Sequence, residues 1–242
     1  MKQLIEAKIL ESQLYNASLF VNTDNSEYED IRIKIRQLYE DAAKNGNIEA
    51  KAMLAIYLAY CIGGPNDVKL HYSLVNEAAE AGEPTALGMR AENYWFGENG
   101  FVQDIDNCEI DAKKAHDAGS WLGSTVYSWV LRGKGQVETA DKICTESLPL
   151  LMNEALNGNS IAQDWLAWRY NNGEGVSRSP EVASAWFRIS ADNGLGWAQY
   201  WLGLRYLNGD GTIKNLEAAR YWINKAATKG IKDAIEQLKL IL

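Results

Sequence analysis

Apolar residues recur at helical spacing along the chain, and glycines interrupt them at regular intervals. In residues 195–208, Ala198, Leu202 and Tyr206 follow one another every four positions. In residues 212–229 a second stripe contains Leu216, Ala219, Trp222, Ile223 and Ala226. A stripe that repeats every three to four residues covers one face of an α-helix. Each segment is therefore predicted to be an amphipathic helix whose apolar face packs on a neighbour.

The same organisation is repeated through most of the chain. A small-residue run ending in glycine occurs at AAKNG (42–46), AAEAG (78–82), AHDAG (115–119), EALNG (154–158), SADNG (190–194) and AATKG (226–230), with terminal glycines 36, 37, 39, 36 and 36 residues apart. About half a period after each of the first five comes a second glycine segment: CIGG, WFGENG, LRGKG, NNGEG and LNGDG. Glycine readily adopts the positive φ that ends a helix. Each period therefore predicts a hairpin of two helices.

Two segments near the C-terminus are nearly identical. AQYWLGLRYLNGDG (198–211) shares nine of fourteen positions with AQDWLAWRYNNGEG (162–175). One helix hairpin cannot bury both of its faces, so successive hairpins must stack into an array with a continuous core. The sequence predicts an all-α fold, a right-handed α/α superhelical solenoid with a concave side.

The array is predicted to occupy residues 31–231, between an N-terminal capping segment (1–30) and a C-terminal cap (231–242). Its five repeats cover approximately residues 47–82, 83–119, 120–158, 159–194 and 195–230. The segment IRIKIRQLYEDAAKNG (31–46) first alternates like a strand, but its LYEDAAKNG ending favours the second helix of a half repeat. Residues 4–20 are predicted to form a capping helix, and KDAIEQLKLIL (232–242) a cap at the other end.

The repeat pattern resembles a known family. The pattern A-x-x-x-L-G-x-x-Y-x-x-G-x-G, followed by an aromatic residue and K-A-A-x-x-G, is similar to the Sel-1-like repeat of the tetratricopeptide-like solenoids. Its residues in the last repeat are Ala198, Leu202, Gly203, Tyr206, Gly209, Gly211, Trp222, Lys225, Ala226, Ala227 and Gly230. The preceding repeat keeps Ala162, Leu166, Tyr170, Gly173, Gly175, Val176, Trp186, Ala191 and Gly194, whereas the third fits poorly. The resemblance implies an adaptor, regulatory or inhibitory protein that binds other polypeptides.

Composition and charge narrow the function classes. The 242 residues carry a formal net charge of −8. An acidic chain argues against binding to nucleic acid or to an anionic membrane surface, and it suits a basic protein partner. The alternative that the charge only maintains solubility stays open. Glu6 and Glu11 interrupt the apolar core that a signal peptide would need, and the three distant cysteines fit a reducing compartment. We therefore expect a cytoplasmic protein, or a periplasmic one if a targeting segment was removed.

Little in the sequence points to catalysis. His71 and His116 lie on the second helices of different repeats, without a matching acidic or cysteine register, and both are predicted to be partly exposed surface residues. No metal-binding, P-loop, dinucleotide or nucleophile-elbow motif occurs, and GENG, GEG and GDG read as turns between helices. We therefore predict no catalytic residue, no metal and no cofactor. The cysteines do not recur at repeat spacing, so the β-lactam binding associated with cysteine-rich Sel-1-like proteins is not carried over.

Some positions in the first helix of each hairpin are not part of the repeat pattern. We predict that these positions face the concave groove. The predicted partner-binding residues are Tyr57, Glu92, Asn93, Trp129, Trp165, Trp168, Arg169, Trp201, Leu204 and Arg205. Within each of the last two repeats the Trp and Arg are four residues apart, hence on one face, and both types are enriched in protein interfaces. The alternative is that the tryptophans pack between repeats and that Arg169 and Arg205 pair with Glu174 and Asp210. Trp186 and Trp222 match framework positions.

These observations favour a monomeric, non-enzymatic protein that binds a polypeptide in its groove. One specific hypothesis is an inhibitor or immunity protein that neutralises a bacterial toxin or effector, because an acidic chain without recognisable chemistry suits a single basic partner. A regulatory adaptor or scaffold is the first alternative. A cell-envelope hydrolase or peptidoglycan-binding protein is the second.

Overall fold

A computed structural model describes the backbone of residues 1–18 and 26–241 and the side chains of residues 1–14 and 28–241. These residues form thirteen α-helices and no strand. The helices are α1 (Lys2–Ser18), α2 (Ser26–Lys44), α3 (Ile48–Ala59), α4 (Val68–Glu80), α5 (Pro84–Phe96), α6 (Ile105–Asp117), α7 (Trp121–Gly133), α8 (Val137–Leu156), α9 (Ser160–Asn172), α10 (Pro180–Asp192), α11 (Gly196–Asn208), α12 (Leu216–Thr228) and α13 (Lys232–Ile241). The predicted all-α repeat fold is confirmed.

The helices belong to two compact units. The first unit comprises residues 1–8, 34–59 and 66–151, and the second comprises residues 9–33, 60–65 and 152–242. In the first unit, α3 packs on α4, α5 on α6, and α7 on both α5 and α6. In the second unit, each helix from α9 to α12 packs on the next helix in the chain, and α12 packs on α13. The predicted boundaries of caps and repeats stay predictions.

Helix ends lie where the glycine pattern placed them. The six glycines that close the small-residue runs all have φ between +80° and +93°. Helix starts are fixed by side chains that cap free backbone N–H groups. Asp67, Asp104 and Asn215, for example, each accept a hydrogen bond from the backbone N–H three residues ahead. Local sequence therefore marks several of these helix boundaries, although Leu195 before α11 provides no side-chain cap.

The N-terminal segment is helical throughout its described part. In α2, Ile35 and Tyr39 are fully buried at a spacing of four residues, so the segment is a helix and the strand-like alternation is not realised, while its assignment to a half repeat stays a prediction. The helix predicted over residues 4–20 corresponds to α1, and its residues 19 and 20 lie outside the described part. At the other end α13 is a helix whose Ala234 is fully buried.

Close packing of small residues holds successive helices together. Ala198 and Leu202 of α11 are 0% and 1% exposed, and Ile223 of α12 is 0% exposed. At Gly203 a Cβ atom would lie 2.5 Å from Cγ1 of Ile223. Such an approach is possible only without a side chain, so the glycine of the repeat pattern permits the close contact between α11 and α12.

The third repeat departs from the others in its second helix. Helix α8 has 20 residues, whereas α4, α6, α10 and α12 have 13 each. The longer helix accounts for the 39-residue spacing from Gly119 to Gly158 and for the poor fit of this repeat to the pattern. It also contains Pro149, which has no N–H to donate within the helix.

Candidate partner-binding surface

All ten predicted partner-binding residues lie on the first helices of the hairpins, and they divide into two groups by burial. Trp129, Trp165, Trp168, Trp201 and Leu204 are partly exposed. The buried group, with 1% to 8% exposure, consists of Tyr57, Glu92, Asn93, Arg169 and Arg205. The expectation that this second group faces an open groove is corrected, because neighbouring helices cover these side chains.

Arg205 is a structural residue of the second unit. Its Nε donates to Ser184 Oγ at 2.7 Å, its Nη1 to Asn171 Oδ1 at 3.0 Å, and its Nη2 to the carbonyl of Pro180 at 3.2 Å. The guanidinium carbon also lies 5.1 Å from the centre of the Phe187 ring. Burial lowers the pKa of Arg205 from its usual value. The side chain therefore connects α9, α10 and α11 and does not reach outward.

Arg169, one period earlier, is buried still more completely. Its side chain is 1% exposed. Its backbone carbonyl accepts hydrogen bonds from Gly173 and Glu174, which close the end of α9. Both arginines of the repeated W-x-x-x-R pattern are buried, so a structural role describes them better than the groove interpretation. The sequence alternative paired Arg205 with Asp210, whereas its side chain donates hydrogen bonds to Ser184, Asn171 and Pro180.

Asn93 belongs to a buried polar network in the first unit. His71 is 0% exposed, and its Nδ1 lies 2.8 Å from the carbonyl of Ala55. Since a carbonyl only accepts, Nδ1 carries the proton, and Nε2 accepts from Asn93 Nδ2 at 2.8 Å. Asn99 Nδ2 in turn donates to Asn93 Oδ1. The prediction of a surface histidine at position 71 is wrong, and burial lowers the pKa of His71.

The other histidine and a buried cysteine of the described residues lie in separate environments. His116 is partly exposed, as predicted, with Nδ1 2.9 Å from Ser124 Oγ. The Cys108 thiol is fully buried, and its burial, with nearby carboxylates, raises its pKa to about 12, so it is a poor nucleophile. Within the described residues, no group of three or more His, Cys, Asp or Glu side chains could hold a metal ion.

An aromatic cluster lies between α5 and α7 in the first unit. The Trp129 ring centroid is 5.9 Å from that of Trp95 and 5.8 Å from that of Phe96. Phe96 is 49% exposed, and both tryptophans are partly exposed. Sequence analysis missed Trp95 and Phe96, because they occupy the last turn of α5. The aligned positions of α9 are Asn171 and Asn172, so an aromatic pair at this register was the available signal.

A second aromatic cluster lies between α9 and α11 in the second unit. Trp168 and Trp201 meet edge to face with ring centroids 5.0 Å apart. Trp168 also contacts the buried Phe187 ring at 5.4 Å. Trp201 and Leu204 are partly buried against the core formed by α11, α12 and α13. The structure thus brings together Trp168, Trp201 and Leu204 of the predicted set.

Negative charge is concentrated in the chain segment of the first cluster. Residues 66–151 contain 14 Asp and Glu against 7 Lys and Arg, whereas residues 152–242 contain 9 against 10. The electrostatic potential around residues 66–151 therefore favours positively charged partners.

The fold and this surface define a helix-hairpin repeat protein without a recognisable catalytic centre in its described residues. Residues 160–195 and 198–231 match the Sel1 repeat family, so these two hairpins are Sel1 repeats and the predicted resemblance is confirmed. No curated protein matches the sequence at a significant level.

Several solved structures are similar to the chain. A Sel1 repeat protein from Oxalobacter formigenes is 27% identical over 86% of this chain and 60% of its own, with a TM-score of 0.42. A sel1 repeat protein from Klebsiella pneumoniae subsp. pneumoniae is 24% identical over 85% of this chain and 98% of its own, with a TM-score of 0.49. A protective antigen of uropathogenic Escherichia coli with an SLR fold is 23% identical, with a TM-score of 0.41. The chain spans 60% and 52% of the lengths of the Oxalobacter and Escherichia proteins.

None of the helices in the described part of the chain combines the length and the apolar character needed to cross a bilayer.

Proposed function

We propose that this chain is a non-enzymatic protein that binds a polypeptide partner through the aromatic side chains of its first helices. Sel1-repeat proteins generally mediate protein–protein interactions. The observation that carries the proposal is the pair of partly exposed aromatic clusters, Trp95–Phe96–Trp129 and Trp168–Trp201. Tryptophan and phenylalanine offer a large contact area with few rotatable bonds, which is why they dominate the energetics of protein interfaces.

The chemistry of the partner is proposed from charge. The excess of carboxylates in residues 66–151 favours a segment that carries Lys or Arg beside apolar anchors. Within this class we propose an inhibitor or immunity protein that occludes a basic toxin or effector. A regulatory adaptor is the alternative, and it differs in leaving the activity of the bound partner intact. No arrangement of the described side chains favours the cell-envelope hydrolase or peptidoglycan-binding alternative.

Site-specific photo-crosslinking in cells tests the proposal. Benzoylphenylalanine would replace Phe96 or Trp168 in the full chain, with Val102 and Ile213 as control positions. The controls are apolar and 83% and 87% exposed, but they lie in the turns between the two helices of a hairpin. We expect the same polypeptide to be crosslinked from positions 96 and 168 and not from the controls. Crosslinks confined to the control positions, or equal at all four, would contradict the proposed surface.

A second measurement separates the inhibitor from the adaptor. The crosslinked partner would be purified and its activity measured with and without the wild-type chain. Loss of activity that a Phe96→Ser/Trp129→Ala variant fails to produce supports the inhibitor. If the partner keeps its activity in a stable complex with the chain, the result supports the adaptor instead. Circular dichroism of the variant is the folding control, since Phe96 is half exposed and contributes little to the core.

A further inference from the structure

Within the second unit, the beginning of α2 contacts the C-terminal ends of α10 and α12. Arg32 is 4% exposed, and its Nε donates to the carbonyl of Asn193 at 3.0 Å while its Nη2 donates to that of Asp192 at 3.2 Å. Glu29 accepts from Arg32 Nη1 at 3.1 Å and from Lys229 Nζ at 3.2 Å. Two charged residues one helical turn apart therefore bind two helix ends that are far away in sequence.

The fit around Arg32 is tight. A Cβ atom on Gly194 would lie 2.5 Å from Cζ of Arg32, so the guanidinium lies directly against the backbone of the turn. The carbonyls at a helix C-terminus carry partial negative charge and favour a cation at this position. Asp192 and Asn193 at the end of α10 thus form a receptor for an arginine side chain, which we call the arginine receptor.

The attachment of α2 to this receptor is mainly polar. Ile33 is 50% exposed, and Tyr28 and Ile31 are only partly buried. Burial raises the pKa of Glu29, but Lys229 and Arg32 lower it more, so the net direction is downward. Polar contacts of this kind are typical of reversible interfaces, whereas permanent ones bury continuous apolar surface. Residues 28–33 are therefore attached through hydrogen bonds and an ion pair, and none of their apolar side chains is fully buried.

Lys229 occupies the repeat position that Asn193 occupies one period earlier. In the preceding repeat Asn193 Nδ2 donates to Gln163 Oε1 at 2.9 Å. One period later Lys229 replaces Asn193 and Gln199 replaces Gln163. Gln163 Nε2 donates to the carbonyl of Ala155, and one period later Gln199 Nε2 donates in the same way to the carbonyl of Ala191 at 3.1 Å.

The acceptor that corresponds to Gln163 Oε1 is left without a partner. Gln199 is 2% exposed, and its buried Oε1 has no hydrogen-bond partner among the described residues, while Lys229 is directed to Glu29. A buried acceptor without a partner is unfavourable by about 1–3 kcal/mol. Docking of α2 therefore leaves one polar atom unsatisfied, and release of α2 would allow Lys229 to satisfy it.

We propose that the arginine receptor is a helix-recognition site occupied by the chain's own residues 28–33, and that these residues act as a releasable competitor. On release, Lys229 Nζ transfers its hydrogen bond from Glu29 to Gln199 Oε1. The receptor carbonyls are then open to another helix that presents an arginine with a glutamate three residues before it. This inference does not rest on the aromatic surface.

The first test measures how firmly Arg32 is bound in the full chain. The ¹⁵N-labelled Nε–H of Arg32, assigned by its absence in Arg32→Lys, reports the bond to Asn193 through its rate of hydrogen exchange. We expect Glu29→Ala to accelerate this exchange about tenfold, which corresponds to about 1.4 kcal/mol of lost docking, because it removes a carboxylate that binds Arg32 and Lys229 only in the docked state. Asp30→Ala is the matched control, because Asp30 is the next carboxylate of α2 and its side chain is exposed.

The direction in which a Gln199 substitution changes the hydrogen-exchange rate of Arg32 decides between the proposal and a purely structural role. Gln199→Met removes the unsatisfied acceptor of the docked state and the acceptor of the released state, so Arg32 exchange should become slower. If Gln199 only stabilised the fold, loss of its bond to Ala191 would loosen the unit and make exchange faster. Faster exchange in Gln199→Met, or no change in Glu29→Ala, overturns the proposal.

The second test supplies the competitor in trans. A free peptide of residues 28–36 at millimolar concentration should accelerate Arg32 exchange in the wild-type chain by competing for the receptor. The same peptide with Arg32→Ala should have no effect. Equal effects of the two peptides, or none from either, show that the receptor does not recognise an arginine-bearing helix and overturn the proposal.

Discussion

Gly194→Ala tests the contact between Arg32 and the end of α10 by a change of one methyl group. Gly194 has φ +85°, and an added Cβ would lie 2.5 Å from Cζ and 2.6 Å from Nε of Arg32. A left-handed conformation costs a residue with a Cβ about 1–2 kcal/mol. Displacing Arg32 also weakens two hydrogen bonds from a charged group, each of which contributes about 1.5–3 kcal/mol. We expect the variant to lose about 3–5 kcal/mol of unfolding free energy.

Gly230→Ala is the matched control for this prediction. Gly230 has φ +87° and no atom within 4 Å of the added Cβ, so it incurs the conformational cost alone, about 1–2 kcal/mol. Unfolding in urea, followed by far-ultraviolet circular dichroism, gives the free energies. In an Arg32→Ala background the cost of Gly194→Ala should fall to that of Gly230→Ala, which is the signature of direct coupling. Equal costs of the two glycine substitutions in the wild-type background would refute the reasoning.

Three further predictions concern the buried framework. His71 has a lowered pKa, so below its unfolded value of about 6.5 the unfolded chain binds a proton that the folded chain does not. Stability should therefore fall as the pH drops from about 6.5 toward the folded pKa, by at most about 1.4 kcal/mol per pH unit, and His71→Gln should flatten this slope in pH-dependent urea titrations. Arg205→Ala should destabilise the chain by about 3–5 kcal/mol, because it leaves acceptors on Ser184, Asn171 and Pro180 unpaired. If Arg205 served only in partner binding, the midpoint of urea unfolding would not change. Gly203→Ala should destabilise the chain by about 1–3 kcal/mol, because the added methyl group contacts Ile223. Gly133 is also helical but has only Trp95 nearby, at 4.0 Å, so Gly133→Ala should stabilise the chain by up to about 1 kcal/mol. Changes of the same sign in the thermal unfolding temperatures of the two variants would contradict this account.

The candidate surface was only partly predictable from the sequence. Trp165, Trp168 and Arg169 lie on one helix, as the sequence pattern predicted. The helical period then gives the direction of each side chain around the helix axis. Periodicity does not state which neighbour covers that helix. In the structure Arg169 is buried while Trp168 stays partly exposed, although they are adjacent in the chain. Subtracting framework positions therefore selected tryptophans that the structure leaves partly exposed, but it assigned the arginines to the wrong environment, and the partner-binding role stays a prediction.

The sequence by itself determined the local architecture. Glycines at a period of about 36 residues end the helices, since positive φ is a property of the residue, and capping side chains act within three positions. Apolar stripes then require each helix to pack on the next, which is enough to define the repeat.

Tertiary structure decided the contacts that join residues far apart in the chain. Arg32 binds Asn193 across 161 positions, and Lys229 binds Glu29 across 200. Such pairs join residues that are far apart in the chain, and no local sequence pattern encodes them. The burial of Arg205 and His71 has the same origin, because a polar side chain becomes internal only when other helices close over it and supply its hydrogen-bond partners.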